Sequence, residues 1–236
     1  MQHFEHKMQV VMKVNYEILE NALVKCAQIY NGCVPFLSGD TFSWRNTTEY
    51  CVNITENLVT IVFRGTDSKA EWTSNLAFCR KKLPYGNAKS HVMVHSGFID
   101  AYNNEFVRTR IHKLIPDKRC KVIVSGHSRG AALAALCAVD LQYNFPYLDI
   151  AVYLFGCPRV GNKAFAKSYN KRVCRTVRVQ NGNDVVTKLP PAIFGYRHIG
   201  SAFNVGKVRI PFAVSFKAHY PEEYFAGIIR GKDRLS

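Results

Sequence analysis

The chain has 236 residues, of which 47% are hydrophobic, and its 32 basic against 17 acidic residues give a formal net charge of +15 at pH 7. This length and apolar content fit one globular domain with a full core, and they exclude a collagen-like or disordered chain. No run approaches the roughly 18 apolar residues that a membrane-spanning helix needs.

The first 45 residues predict an N-terminal helical region, with a helix over about 7–30. We expect this region to pack on a single domain that takes up residues 1–236. The β-branched and apolar stretches that follow predict strands near 50–54 and 58–63.

The second of these strands ends in a turn, Arg64-Gly65-Thr66. Gly65 lets the backbone approach a neighbour closely, and Thr66 offers an N–H group and a hydroxyl. Such a turn at the end of a strand can supply one donor to an oxyanion hole.

After a long helix predicted over about 97–115, residues 122–135 read VIVSGHSRGAALAA. A β-branched run enters a G-x-S-x-G pentapeptide and an alanine-rich helix pattern leaves it, which is the pattern of a nucleophile elbow. Ser128 is therefore the candidate nucleophile. The backbone N–H of Arg129, the next residue, is the candidate second oxyanion donor.

Beyond the elbow, strand and helix patterns alternate. We expect strands at 150–156, 174–180 and near 195–214, a helix at 161–170, and a loop with a short helix after residue 215. This alternation predicts a mixed, mostly parallel central sheet flanked by helices.

A nucleophilic serine needs a base, and the base needs an acid that orients it. In chains with a nucleophile elbow of the α/β-hydrolase type, the order is serine, then aspartate or glutamate, then histidine. Asp140 lies about 18 Å down the helix that starts at Ser128, at 1.5 Å per residue. Asp149 precedes a strand, whereas Asp184 follows the strand pattern at 176–180. Because sites gather at the carboxyl ends of parallel strands, Asp184 is the expected acid.

Two histidines follow the serine, His198 and His219. His219 lies in a loop or helix start near the end of the chain, the usual place of the base, and is favoured. His198 lies in a short strand pattern, GYRHIG, where a hydrogen-bonded structural histidine is more common, but its spacing from Asp184 leaves it as an alternative.

Seven segments in order resemble the class 3 lipase family, which has an α/β-hydrolase fold, over about residues 50–225. They are VFRGT (62–66), EWTSNL (71–76), VHSGFIDAY (94–102), SGHSRGAALA (125–134), FGCPRVGNKAF (155–165), NDVVTKLPPAIFGYRHIG (183–200) and AHYPEEY (218–224). The resemblance implies a Ser128–Asp184–His219 triad, an oxyanion hole at Thr66 and Arg129, and a structural role for His198.

The resemblance also implies a short lid near residues 67–78, with Asp67, Trp72 and Leu76 as lid or substrate-contacting residues. One position departs from the family, because the residue after the nucleophile is usually apolar and here is Arg129. Its side chain can pair with Asp67, stay in solvent or contact an anionic headgroup.

The expected function is that of a serine carboxylic-ester hydrolase that cleaves fatty-acyl esters of lipids without a metal or other cofactor. Glycerides and phospholipids both remain as substrates. The alternatives are a soluble short-chain or feruloyl-type esterase and a catalytically idle relative that binds lipid.

The positive charge is partly clustered, at Arg80-Lys81-Lys82, at 118–121 and at Lys171-Arg172. Such a field attracts anionic surfaces, and we expect peripheral contact with an anionic membrane or lipid interface. A basic surface that only binds solvent explains the charge equally well. No nucleic-acid motif accompanies it, so no nucleic-acid partner is expected.

The eight cysteines show no C-x-x-C or Cys/His spacing of a metal site. Several of them fall in core strand and helix patterns, where cysteine behaves as a small apolar residue. The first residues also lack the apolar stretch of a signal peptide. These features favour reduced thiols and an intracellular, cytoplasmic or non-classically targeted protein.

Overall fold

The structure, a computed structural model, describes residues 15–32, 38–44, 48–66, 78–84, 89–207 and 213–233. Within these ranges the helices are α1 (Tyr16–Tyr30), α2 (Ser96–Tyr102), α3 (Arg108–Leu114), α4 (Arg129–Asn144), α5 (Lys163–Arg172) and α6 (Pro221–Asp233). The strands are β1 (Asp40–Trp44), β2 (Tyr50–Ile54), β3 (Leu58–Phe63), β4 (Arg80–Lys82), β5 (Met93–His95), β6 (Lys121–His127), β7 (Asp149–Phe155), β8 (Gly161–Asn162), β9 (Thr176–Asn181), β10 (Tyr196–Arg197) and β11 (Ser201–Val205). Short 3-10 helices cover Val186–Lys188, Ala192–Phe194 and Lys217–His219.

The main sheet of the described residues has seven strands in the order β1-β2-β3-β6-β7-β9-β11. The pairs β1–β2 and β2–β3 are antiparallel, and every later neighbouring pair, from β3–β6 to β9–β11, is parallel. A second, smaller sheet has the order β10-β8-β5-β4 and is antiparallel throughout. The predicted α/β-hydrolase fold, with a mostly parallel central sheet between helices, is confirmed.

The central strands are buried because helices cover both faces of the sheet. In β7, the six residues Ile150–Phe155 are all buried, the continuous apolar run that a strand covered on both faces needs. The helix α4 is buried from Gly130 to Leu141, and its alanines bring it close to one face. The helices α1 and α6 contribute Leu19, Leu23, Tyr224 and Ile228 to a second apolar cluster with the sheet.

The parallel strands end at the same edge of the sheet, and three of the predicted functional residues follow these ends. The strand β3 leads to Thr66, β6 leads to Ser128 and β9 leads to Asp184. Because the carboxyl ends of neighbouring parallel strands meet, the topology alone places these segments side by side.

The N-terminal region differs from the expectation of a helical stretch over the first 45 residues. Helix α1 is described from Tyr16, and the side chain of Asn15 caps it by accepting hydrogen bonds from the backbone N–H groups of Glu17, at 2.8 Å, and Ile18, at 3.3 Å. Residues Asp40–Trp44 instead form strand β1, which pairs with β2 at the edge of the main sheet. The edge strand gains its hydrogen bonds from β2, the next strand in the chain, and not from local helical contacts.

The long helix predicted over 97–115 is two short helices, α2 and α3. Between them the side chain of Asn104 accepts a hydrogen bond from the backbone N–H of Phe106 at 2.9 Å. An asparagine side chain that bonds the local backbone competes with the helical hydrogen bonds, which explains the break.

At the other end of the chain, α6 is longer than the short helix expected there. Among the described residues, no helix combines the length and the apolar character needed to cross a bilayer.

Candidate active site

The pentapeptide around Ser128 forms a sharp turn between β6 and α4. Ser128 has φ of 61° and ψ of −128°, and it is the one non-glycine residue with positive φ in the described part of the chain. A Cβ added at Gly126 would lie 2.3 Å from the carbonyl oxygen of Gly130, and one added at Gly130 would lie 2.4 Å from the carbonyl oxygen of Phe63. Both glycines are therefore required by close backbone packing, and the strained turn points the serine away from the sheet.

Hydrogen bonds join the three predicted triad residues. His219 lies 91 positions after Ser128 and 35 positions after Asp184 in the chain, and it contacts both. The Nε2 atom of His219 lies 2.8 Å from the Oγ atom of Ser128. Its Nδ1 atom lies 2.9 Å from the Oδ2 atom of Asp184. This is the order of contacts in which a base takes the proton of a hydroxyl while a carboxylate fixes the ring.

The carboxylate of Asp184 is fully buried and its oxygens have further donors. Oδ1 accepts a hydrogen bond from the backbone N–H of Val186 at 2.8 Å. Oδ2, besides facing the ring of His219, accepts one from the hydroxyl of Tyr224 at 2.5 Å. A buried carboxylate with several donors is held in one orientation.

Tyr224 and Gly156 were not singled out from the sequence, although both lie in segments that resemble the family. Tyr224 reaches the site from α6, five residues after His219. Gly156 follows β7 with φ of +58°, and a Cβ there would lie 2.8 Å from Cε1 of His219 and 3.1 Å from Oδ2 of Asp184. The absence of a side chain at Gly156 leaves space for the imidazole. In the sequence, the one indication of this role is a glycine directly after a strand, in Phe155-Gly156-Cys157.

The candidate oxyanion hole lies where β3 and β6 run side by side. Their parallel register places Phe63 opposite Gly126, so Arg64-Gly65-Thr66 continues next to the elbow. A Cβ at Gly65 would lie 2.7 Å from the carbonyl oxygen of His127, which shows how closely the two segments pass. Arg129 is the first residue of α4, where backbone N–H groups lie at the positive end of the helix dipole.

His198, the alternative candidate for the base, has other hydrogen-bond partners. The Nε2 atom of His198 lies 2.8 Å from the carbonyl oxygen of Thr187 and donates to it. The hydroxyl of Thr187 donates in turn to the carbonyl oxygen of Asp184 at 2.8 Å. His198 thus supports the backbone of the segment that carries the acid, while His219 is the histidine whose Nε2 can accept the hydrogen bond of the Ser128 hydroxyl.

The other two aspartates weighed from the sequence lie in ion pairs. Asp140 is fully buried and binds Tyr102, Arg108 and His112 through its side chain. Asp149 pairs with Arg175 at 3.0 Å.

The lid expected near residues 67–78 lies almost entirely outside the described residues, and so do Asp67, Trp72 and Leu76. Phe78, the last residue of that range, stacks on Phe194 with ring centroids 5.2 Å apart. Arg129 is partly buried, and its pairing with Asp67 stays a prediction.

The match to a family model spans residues 60–194, and that family is described as lipase (class 3). Among curated proteins, the chain is 38% identical over 154 residues to a lipase from Rhizomucor miehei, covering 63% of this chain and 42% of that protein. It is 36% identical over 156 residues to a chloroplastic phospholipase A(1) from Arabidopsis thaliana, covering 59% of this chain and 35% of that protein. The chain therefore spans less than half the length of these two relatives.

The fold is also similar to solved structures. The Rhizomucor miehei triacylglyceride lipase matches with a TM-score of 0.69 and 28% identity, covering 86% of this chain and 90% of that chain. A fungal lipase–inhibitor complex described as a model for interfacial activation matches with a TM-score of 0.68 and 29% identity, covering 90% of this chain and 94% of that chain.

Proposed function

Because the chain belongs to the class 3 lipase family, we propose that it is a serine carboxylic-ester hydrolase that cleaves the fatty-acyl esters of lipids. The observation that carries the proposal is the chain of hydrogen bonds from Ser128 through His219 to the buried Asp184. In this arrangement the base can take the proton of the hydroxyl and so activate it for attack on an acyl carbon.

In the first half of the reaction, Oγ of Ser128 attacks the ester carbonyl carbon and its proton passes to Nε2 of His219. The carboxylate of Asp184 holds Nδ1–H and stabilises the imidazolium that forms. When the tetrahedral intermediate collapses, His219 gives the proton to the departing alcohol oxygen and an acyl-enzyme remains.

In the second half, water attacks the acyl-enzyme while His219 takes its proton, and the fatty acid leaves as Ser128 regains its hydrogen. During both halves negative charge develops on the carbonyl oxygen. We assign its stabilisation to backbone N–H groups of Thr66 and Arg129, which approach the elbow from β3 and from the start of α4. One such donor is worth on the order of 10²–10³ in turnover.

For the substrate we propose a glycerolipid, because the similar proteins include a triacylglyceride lipase and a phospholipase A(1). We also propose peripheral contact with an anionic lipid interface. Large apolar side chains are exposed in the segments that flank Asp184 and His219: Ile193 at 87%, Val214 at 56% and Phe216 at 58%. Large apolar side chains that are exposed in the segments flanking a site are typical of surfaces that bind another apolar phase.

Cationic groups border this apolar surface. A Cβ at Gly195 would lie 2.9 Å from a guanidinium nitrogen of Arg80, and that guanidinium lies over the ring of Tyr196 at 5.5 Å. Arg197 follows in the next position and donates to the carbonyl oxygen of Ala192 at 2.9 Å. Apolar side chains that enter a bilayer and cations at headgroup level together favour an anionic membrane.

The proposal is tested by hydrolysis of p-nitrophenyl esters from C2 to C16, with wild type and Ser128→Ala, with and without vesicles of anionic phospholipid. We expect activity that is lost in the variant, is highest for long chains and increases with anionic vesicles. Activity confined to short chains would instead indicate a soluble esterase. Full activity in Ser128→Ala would overturn the proposed chemistry.

A further inference from the structure

A second imidazole, that of His127, lies behind the catalytic one. The rings of His127 and His219 have centroids 4.6 Å apart and are tilted by 30°. His127 is 3% exposed and comes directly before Ser128 in the chain. The proposed mechanism gives this ring no proton to carry, so its place against His219 needs another explanation.

The hydrogen bonds of His127 determine which of its nitrogens carries the proton. Nε2 lies 2.8 Å from the backbone carbonyl oxygen of His219, which can only accept, so Nε2 carries hydrogen. Nδ1 of a neutral ring is then an acceptor, and the hydroxyl of Tyr30 donates to it at 3.0 Å. Both contacts fit a single neutral form of the ring.

The surroundings keep this form uncharged. Burial lowers the pKa of His127 well below its ordinary value of 6.5, and the neighbouring His219 lowers that pKa further. The other groups that face the ring are Tyr30, whose own ring lies under the guanidinium of Arg64 at 5.7 Å, and Tyr224, whose ring is 5.8 Å away. A neutral neighbour matters because a second cation here would oppose the imidazolium that forms on His219.

The contact joins parts of the chain that are far apart. Tyr30 is the last residue of α1, His127 ends β6, and His219 lies in the 3-10 helix Lys217–His219. Gly65 makes room for the contact, since a Cβ there would lie 1.9 Å from the hydroxyl oxygen of Tyr30. The same 3-10 helix is held from β9, where the side-chain amide of Asn181 donates to the carbonyl oxygen of Ala218 at 2.9 Å.

We propose that His127 is a positioning residue for acyl transfer: it fixes the catalytic His219 through that residue's backbone carbonyl, and Tyr30 of α1 fixes His127 in the form that can donate. The inference rests on the proposed ester hydrolysis. It assigns α1 a role in the geometry of the site, although α1 lies outside the matched family range of 60–194.

The variants are His127→Leu, which removes both hydrogen bonds, His127→Gln, whose amide N–H can reach the same carbonyl oxygen, and Tyr30→Phe, which removes one oxygen. On a soluble ester we expect His127→Leu to lower kcat about 10- to 100-fold with KM within about twofold, because a misplaced base affects the chemical step. Tyr30→Phe should lower kcat about three- to tenfold, the effect of one hydrogen bond. His127→Gln should recover most of the loss seen in His127→Leu.

Tyr169→Phe is the matched control, since it also removes a buried tyrosine hydroxyl, one bonded to the Thr176 hydroxyl at 2.9 Å and away from the triad. We expect it to lower the melting temperature and leave kcat unchanged. A folded His127→Leu with wild-type kcat would overturn the inference. So would a Tyr169→Phe variant that loses as much kcat as Tyr30→Phe at a similar fall in melting temperature, because the losses would then follow stability alone.

A direct measurement covers the case in which His127→Leu does not fold. In two-bond ¹H–¹⁵N spectra of wild type, the His127 ring should carry its proton on Nε2 from about pH 5 to 8, and Tyr30→Phe should weaken this preference. A proton on Nδ1 would overturn the inference. If Ser128→Ala keeps its activity, the proposed function fails; if it is inactive and only the His127 and Tyr30 results fail, the hydrolase stands and the positioning role falls.

Discussion

The hydroxyl of Tyr224 lies 2.5 Å from Oδ2 of Asp184, the same carboxylate oxygen that faces Nδ1 of His219 at 2.9 Å. The two donors approach one oxygen from helix α6 and from the 3-10 helix just before it. The orientation of the acid thus depends on the C-terminal helix as well as on the loop after β9.

Removing this hydroxyl should weaken catalysis without abolishing it. Hydrogen bonds to charged groups contribute about 1.5–3 kcal/mol, so Tyr224→Phe should lower kcat roughly 10- to 100-fold on a soluble ester. The ring still packs against Phe155 and His127, so the fold should persist. Steady-state kinetics with a melting curve measures both effects, and an unchanged kcat would show that the other donors alone orient Asp184.

Adding a methyl group at Gly156 should displace the imidazole. The new Cβ of Gly156→Ala would lie 2.8 Å from Cε1 of His219, and the residue would also keep a positive φ of +58°. We expect a loss of kcat of about 100-fold, since a displacement of about 1 Å at a reacting group has this effect.

Gly195→Ala separates this clash from backbone strain. Its φ is +78°, but its Cβ would meet only the mobile end of the Arg80 side chain, at 2.9 Å. It should cost about 1–2 kcal/mol of stability through strain and leave kcat on a soluble ester unchanged. Equal kinetic losses in both variants would contradict the explanation through His219.

The buried Asp140 should make the folded state sensitive to acid. Burial favours a raised pKa for this carboxyl, but hydrogen bonds from His112, Arg108 and Tyr102 outweigh it and hold the pKa below the ordinary value of 3.8. A carboxyl with a lowered pKa in the folded state stabilises the fold above its unfolded pKa, and this stabilisation is lost as the pH falls through the folded value.

Asp140→Asn should therefore lower the free energy of unfolding by about 3–5 kcal/mol at pH 7, because the charges of Arg108 and its neighbours lose a buried partner. The difference from wild type should shrink as the pH falls below 3.8. Urea unfolding of wild type and variant, at pH 7 and at a pH below 3.8, measures this difference in the free energy of unfolding. The control is Asp149→Asn, whose partly exposed pair with Arg175 should be worth under about 1 kcal/mol.

The apolar surface should matter only when the substrate is in a lipid phase. Phe216→Ser and Ile193→Ser should each lower hydrolysis in anionic vesicles about 10- to 100-fold and leave hydrolysis of a soluble short-chain ester unchanged, since a buried apolar side chain contributes about 1.5–3 kcal/mol. Tyr143→Ser is the control: it is 54% exposed but lies at the far end of α4, about 22 Å along the helix from Ser128. Equal effects of all three variants would contradict a specific docking surface.

Much of the site could be predicted because its signals are local. The glycines around Ser128 mark the elbow, and the order of residues along an α/β-hydrolase chain leaves few candidates for the acid and the base. The position of Asp184 at the carboxyl end of a strand then selected it, and the structure places it 2.9 Å from His219. The family and the fold are confirmed, while the catalytic roles remain predictions for the experiments above.

What the sequence could not show are contacts between elements that only the fold brings together. Tyr30 and Tyr224 lie in two helices that contact each other across one face of the sheet, and no spacing rule connects them to Ser128. The strand β1 and the break after α2 were missed for a different reason. Both are decided by local contacts, the pairing of β1 with β2 and the side chain of Asn104, and the average propensity of the segment does not show them.

The central claim is that Ser128 becomes acylated, and the most direct measurement is the mass of the peptide that contains it. The protein is mixed with excess p-nitrophenyl ester of a fatty acid, quenched in acid during the burst phase and digested. The account predicts one added acyl group on Ser128 in wild type. In His219→Ala the same adduct should form only during a long incubation, and in Ser128→Ala no adduct should form at that position. Ester hydrolysis by folded wild type with an acyl group on another residue, or equal turnover in Ser128→Ala, would contradict it.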